Sequence, residues 1–375
     1  MRIVMFYHSL ISCWNHGNAH FLRGVVSELL ARGHDVEVCE PREGWSVTRL
    51  LAEQGPVALA EQEATFAELP STRYTEPVVE LDELLDGAEL VIVHEWTSPS
   101  LIAAIGRHRV RTGHYRLLFH DTHHRTVSAP GEISALELDG YDGVLAFGGT
   151  IADLYRARGW ASRVWTWHEA ADVRRFGPRP QIERSADLVW IGNWGDDERA
   201  AELQEFLLGP IRTLKLRANV HGVRYPASAR EAVEAAGAQY HGWLPNHRVP
   251  EVFARHRCTV HVPRRPYVAA LRGIPTIRPF EAMACGIPLI SSPWIDSDGL
   301  FEAGLDYLIA RDGEEMCRHI RAILGDEALA TELSERGRRC ILERHTCGHR
   351  VDELLAIYAR LEQPSMASHE RGGLA

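Results

Sequence analysis

The chain has 375 residues, of which 45% are hydrophobic and 25% charged, proportions that support a sizeable buried core and exclude disorder as the global state. At roughly 150 residues per domain, this length favours two domains over one. With 41 basic and 51 acidic residues the formal net charge is −10, which excludes a broad nucleic-acid or anionic-membrane footprint.

Ile3–Tyr7 is a short apolar run, followed by a polar loop, Ser12–Asn18, that contains Gly17. Phe21, Leu22, Val25, Val26, Leu29 and Leu30 then recur at helical spacing until Gly33, and Val36–Cys39 reads as the next strand. That order is a βαβ unit and implies a parallel sheet. Residues 41–80 carry helical fragments without a clear period. Strands resume at Leu90–His94, Leu117–His120, Val144–Phe147 and Val164–Trp167, with helices over Ser98–His108 and Thr150–Arg158. Phe176–Ser185 reads as a linker, because its two prolines continue neither kind of element.

A second alternating series follows, with strands at Leu188–Gly192, Leu216–His221, Gln239–Gly242, Thr259–Val262, Leu289–Ser291 and Tyr307–Ala310. Helices dominate from Glu314 to about Leu361, and the small, polar tail Gln363–Ala375 is expected to be disordered. The expected fold is α/β, with two Rossmann-like doubly wound domains at 1–176 and 186–345 joined by a linker at 177–185. A helix at 346–362 is expected to cross back to the first domain. Ligands in such a fold bind at the carboxyl ends of the strands, in the cleft between the halves.

Cys13, Cys39, Cys258, Cys285, Cys317, Cys340 and Cys347 are scattered and lack CxxC spacing, as fits reduced thiols rather than a disulfide frame or zinc cluster. No apolar run approaches the roughly 18 residues of a membrane span. The start, MRIVMFYHS, reads as a strand rather than a signal peptide. A cytoplasmic protein is expected.

Lys215 is the only lysine, so a phosphate site must rest on arginine forks, backbone amides or helix ends. The stretch Arg278–Ser292 combines these features: Pro279 suits a helix start, Gly286 and Pro288 stop the helix, and a strand follows. Free amides beside Arg278 form a site for a diphosphate, and Glu281 in the first turn can accept from a sugar hydroxyl or cap its own helix. Pro263-Arg-Arg-Pro266 holds Arg264 and Arg265 in a stiff turn, for phosphate or for solvent. Trp190, Trp194 and Trp243 can stack a base or fill a core. His120-Asp-Thr-His-His124 contains metal-ligand residue types, which leaves a metal-dependent hydrolase as a remote alternative.

FEAMACGIPLISS (280–292) resembles the donor-binding signature of GT-B glycosyltransferases, in particular glycosyltransferase family 4 and the CgeB-like (spore maturation protein) enzymes. The first βαβ unit, VIVHEW, LLFHDTHH, HEAADVRRF and LVWIGNWGDDER are similar to successive segments of these enzymes, so the resemblance runs over about residues 1–361. It implies a nucleotide-diphosphate sugar, UDP or GDP type, as co-substrate, with no cofactor or metal, and retention of anomeric configuration. The acceptor, a glycan, cell-envelope polymer or small molecule, is left open.

Carried over by position, the resemblance assigns Glu281 to the donor ribose and the amides around Ala282 and Met283 to the diphosphate. Gly17 is assigned to close backbone approach, and His120 to the side of the transferring sugar. His16, Asn18, His94 and Glu95 fall on the acceptor side, with a structural role in the fold the equal alternative for His94. A family glutamate eight residues before Glu281 is here Gly273, and Asp121 and Glu169 are candidates to replace it. For the missing lysine, Arg199, Arg224, Arg264, Arg265 and Arg278, with Asn193 nearby, are the substitutes. A non-catalytic nucleotide-sugar or glycan-binding protein and a nucleotide-sugar epimerase are the alternatives on the same fold.

Overall fold

The computed structural model describes residues 1–76 and 79–363; the expected disordered tail, beyond Gln363, lies outside the described residues. Two parallel sheets organise the chain. The first has seven strands, β1 (Arg2–Phe6), β2 (Asp35–Pro41), β3 (Ser71–Tyr74), β4 (Leu90–His94), β5 (Arg116–Asp121), β6 (Gly143–Ala146) and β7 (Val164–Thr166), in the order β3-β2-β1-β4-β5-β6-β7. The second has six, β8 (Ala186–Ile191), β9 (Ala218–His221), β10 (Ala238–Gly242), β11 (His256–His261), β12 (Leu289–Ser291) and β13 (Leu308–Ile309), in the order β10-β9-β8-β11-β12-β13. Each order reverses beside its first strand, between β1 and β4 and between β8 and β11. Loops leaving those strands diverge to either side and open a crevice at the carboxyl edge.

The ambiguous stretch 41–80 contains a helix, Trp45–Thr65, and the edge strand β3. The helical period is obscured because Gly55 (φ 79°, ψ 176°) and Pro56 break the helix, so its two halves present different faces. Residues 167–185, including the expected linker, carry the chain from one sheet to the other without a helix or strand.

Alternate residues of β4 and β5 point to opposite faces, as the strand period demands. Val91, Val93, Leu117 and Phe119 join one core with Ile102, Tyr141 and Tyr155. Leu90, Ile92 and Leu118 join a second core that continues without interruption through Phe21, Trp167 and Ala171 to Phe280, Met283 and Ile287 of the other lobe. A third core, including Leu188, Val220, Val260 and Ile320, covers the far face of the second sheet.

The last helix, Cys347–Glu362, packs on the first, Ala19–Ala31. Trp167 Nε1 donates to the Arg350 carbonyl at 2.8 Å, and Arg32 pairs with Asp352 at 2.5 Å. The two helices approach at Gly24, where a Cβ would lie 2.4 Å from Cys347 Sγ and 2.8 Å from Asp172 Cβ, both in a packed interior. Gly24→Ala is therefore expected to destabilise the fold by about 1–3 kcal/mol, the usual cost of overpacking. Urea denaturation of the variant beside the parent checks this, as a lower midpoint.

Candidate active site

A cleft of about 1200 Å³ lies between the sheets, lined by loops leaving β1, β4, β5, β8, β9, β10 and β11. Gly17 sits at a close approach of the two lobes: a Cβ there would be 3.3 Å from Ile277 Cγ2. Asn193 Nδ2 donates to Asn15 Oδ1 across the gap at 2.7 Å.

The second lobe contributes the cationic wall. Arg199, Arg224, Arg264 and Arg278 line the cleft with Asn193, Trp190 and Trp243. Arg199 is fixed by the Val262 carbonyl (3.0 Å), the Asn193 carbonyl (2.7 Å) and Asn193 Oδ1, and lies over the Trp190 ring. Burial and the neighbouring Arg264 charge bring its pKa down to about 9. Arg264 is paired with Glu198 at 2.5 Å. Arg265 turns outward to Glu202 and takes no part in the cleft, and Trp194 is buried against Tyr225.

The helix beneath this wall is Ile277–Ala284, starting two residues before the expected Pro279. Helical amides up to the third position have no partner within a helix, so the free donors are those of Thr276, Ile277 and Arg278, Pro279 having none. Ala282 and Met283, assigned to the diphosphate, lie one turn deeper and are buried in the core, so their amides are spent inside the helix. Thr276 has φ 62° and ψ −177°, a conformation that nearly only glycine adopts without strain.

Glu281 is wholly buried under the cleft rather than on its surface. Its carboxylate is held by Arg278, by Asn246 Nδ2 at 2.7 Å and by His20 Nδ1 at 3.2 Å. Burial raises its pKa, but the Arg278 charge and the His20 and Asn246 contacts outweigh this and keep it below the usual carboxylate range.

Four residues expected at the site lie behind its floor. His94 and His120 are register partners on β4 and β5, and both follow the alternation into the core shared with Phe21 and Trp167, their rings 5.4 Å apart. Burial lowers the His120 pKa to about 3. Asp121 points to the opposite core, where Tyr155 donates to it at 2.8 Å; burial, with the nearby Glu95 charge, raises its pKa. Glu95 is engaged by Arg125 at 2.8 Å and by the Thr122 amide and hydroxyl. The groups that do face the cleft from this end of β5 are Thr122, His123 and His124, just past the strand where alternation no longer binds them. Among the described residues, no group of three or more His, Cys, Asp or Glu side chains is placed to hold a metal ion.

His16, Asn18 and Glu169 converge on the cleft from the first lobe. Asn18 Nδ2 donates to Glu169 Oε1 at 2.7 Å, while Glu169 Oε2 has no hydrogen-bond partner. Burial pushes the Glu169 pKa up to about 8, with the Asn18 bond opposing and the Glu281 charge adding. At Gly273, eight residues before Glu281, φ is 86° and a Cβ would lie 2.6 Å from Asp298 Oδ1. That carboxylate is itself held by His168 and the Gly149 amide, both at 2.8 Å, so position 273 has no room for a side chain.

Residues 199–356 match a protein family described as glycosyl transferase-like. No curated protein matches the chain in sequence. Among solved structures, it is similar to a glycosyltransferase from Rickettsia africae (TM-score 0.67, 11% identity, 97% of this chain and 99% of that one). It is also similar to a sucrose-phosphate synthase from Thermosynechococcus elongatus (0.64, 14%, 96% and 99%) and to HepE of Anabaena in complex with UDP and glucose (0.63, 12%, 96% and 100%). The chain has the GT-B glycosyltransferase fold.

The raised pKa of Glu169 has a consequence for stability. A carboxyl with a folded pKa of about 8 against 4.5 unfolded stabilises the fold below the lower value, and that contribution is lost as pH rises through the higher one. Glu169→Gln keeps an acceptor for Asn18 and cannot ionise. Urea denaturation at a series of pH values is expected to show the parent losing stability relative to this variant from about pH 4.5 to 8, by a few kcal/mol.

Proposed function

We propose that the chain is a glycosyltransferase that moves a sugar from a UDP- or GDP-type donor to an acceptor hydroxyl, with retention of anomeric configuration. The reading rests on one observation above the others: Arg199, Arg264 and Arg278 share one wall of an interlobe cleft with the free amides of Thr276–Arg278. Guanidinium groups and helix-terminal amides are the donors that suit a diphosphate, and they meet the charge of the leaving group without a metal. The structure of HepE, which shares the fold, contains UDP and glucose, and this favours uridine.

In the transfer, the bond between the anomeric carbon and the β-phosphate oxygen breaks, its electron pair leaving with the nucleotide. The acceptor oxygen bonds to the same face of that carbon, and its proton passes to the departing phosphate oxygen. Glu169, whose unpartnered Oε2 is buried at the cleft floor, takes the sugar contact that Gly273 cannot make. Glu281 is a positioning residue that orients Asn246 at the cleft edge. The absence of a side chain at Gly273 and the arginines of the second-lobe wall support a reading nearer the CgeB-like branch than family 4, and a cytoplasmic location goes with that reading.

Calorimetric titration with UDP, GDP and uridine tests the donor site. UDP or GDP is expected to bind, and Arg264→Gln to weaken diphosphate binding by about tenfold or more while leaving uridine unaffected. Failure of both diphosphates to bind at millimolar concentration overturns the reading. Release of nucleotide with the sugar joined to an acceptor separates transfer from epimerisation, which returns a nucleotide sugar.

A further inference from the structure

The cleft wall opposite the arginines is aromatic. Trp14 comes from the loop after β1, Trp45 from the start of the helix after β2, and Trp96 from the loop after β4; all three line the cleft. Their rings meet edge to face, Trp14 with Trp45 at 5.8 Å and 79°, and Trp45 with Trp96 at 6.5 Å and 69°. His8 stacks on Trp45 at 4.7 Å and 21°. Trp45 is nonetheless 38% exposed, among the few large hydrophobic side chains left open.

Of the polar groups around these rings some are engaged, while His8 Nε2 and His123 Nδ1 have no hydrogen-bond partner. Trp14 Nε1 donates to Glu53 at 2.9 Å, and Arg125, which lies over Trp96, is paired with Glu95. Arg49 differs. It is exposed on the cleft four residues after Trp45, on the same helical face, and has no ion pair or hydrogen bond among the described residues.

We infer that this wall is an acceptor subsite for a planar aromatic compound that carries both a hydroxyl and an acidic group. The inference rests on the transferase reading above. Indole corners enclose a flat ring through offset and edge-to-face contacts. The unpaired guanidinium of Arg49 supplies a charge-assisted partner for a carboxylate. The wall's largest surfaces are indole faces, Arg49 is its unpaired cation, and the Glu53 carboxylate is engaged by Trp14 Nε1. In the transfer the aryl hydroxyl oxygen bonds to the anomeric carbon, the carbon–phosphate oxygen bond breaks, and the phenolic proton passes to the nucleotide's leaving oxygen.

Tryptophan fluorescence of the full chain, titrated with 4-hydroxybenzoate, phenol and cellobiose in the presence of UDP, tests this. Saturable quenching by 4-hydroxybenzoate, more tightly than by phenol, is expected. Arg49→Gln should weaken 4-hydroxybenzoate by about tenfold without changing phenol. Trp45→Ala should weaken both, and Trp45→Phe should restore most of the binding. Preference for cellobiose, or 4-hydroxybenzoate binding indifferent to both Trp45→Ala and Arg49→Gln, overturns the inference. UDP affinity, measured on the same proteins, is expected to be unchanged in these variants. Nucleotide binding without aromatic binding sinks only the subsite, whereas loss of nucleotide binding by the parent sinks the donor reading.

Discussion

A carboxylate removed from water must be surrounded by cations and donors, and Glu281 draws its own from both lobes. Arg278 and Asn246 belong to the second lobe; His20 belongs to the first helix of the first. His20 Nε2 accepts from the Asp172 amide at 2.7 Å, so the ring carries its proton on Nδ1, facing the carboxylate. One buried charge thus ties the helix Ile277–Ala284, the loop after β10 and the first lobe together. Separating the lobes would leave it without part of its shell, and the continuous core from Phe21 to Phe280 resists the same movement.

The cleft built on this junction is chemically asymmetric. Arginines and helix amides occupy one wall, indoles the other, and the floor between them holds Glu169 and a set of imidazoles. Those imidazoles are neutral near pH 7: burial lowers the pKa of His16 well below its ordinary value and that of His123 to about 2. Positive charge is therefore gathered on the side where a diphosphate would sit, with Arg49 the cation beside the indoles opposite.

The two parallel sheets were legible in the sequence because buried strands alternate with helices whose apolar positions recur regularly. Leu90–His94 and Leu289–Ser291 coincide with their apolar runs to the residue. β3 was hidden because Ser71–Tyr74 is a short edge strand with little apolar content, following a helix kinked at Gly55–Pro56. The helix Ile277–Ala284 was legible as an element, but its first residue was not, since Thr276 takes a backbone conformation that no composition rule assigns to threonine. His120 and His94 looked like site residues because they end strands; which face each takes depends on the strand's pairing, and that placed both in the core. The indole wall gave no linear signal at all, its members being separated at positions 14, 45 and 96 and united only by the order of the strands.

Lys215 closes the helix Gly209–Leu214 in a left-handed turn and is exposed just before β9 begins, at the amino edge of the second sheet. The cleft opens at the carboxyl edge, on the far side of the same lobe. An amine-selective coupling reagent directed at lysine therefore has a single side-chain target, remote from the ligand crevice. Protein attached to a sensor surface through it would present that crevice outward in one uniform orientation.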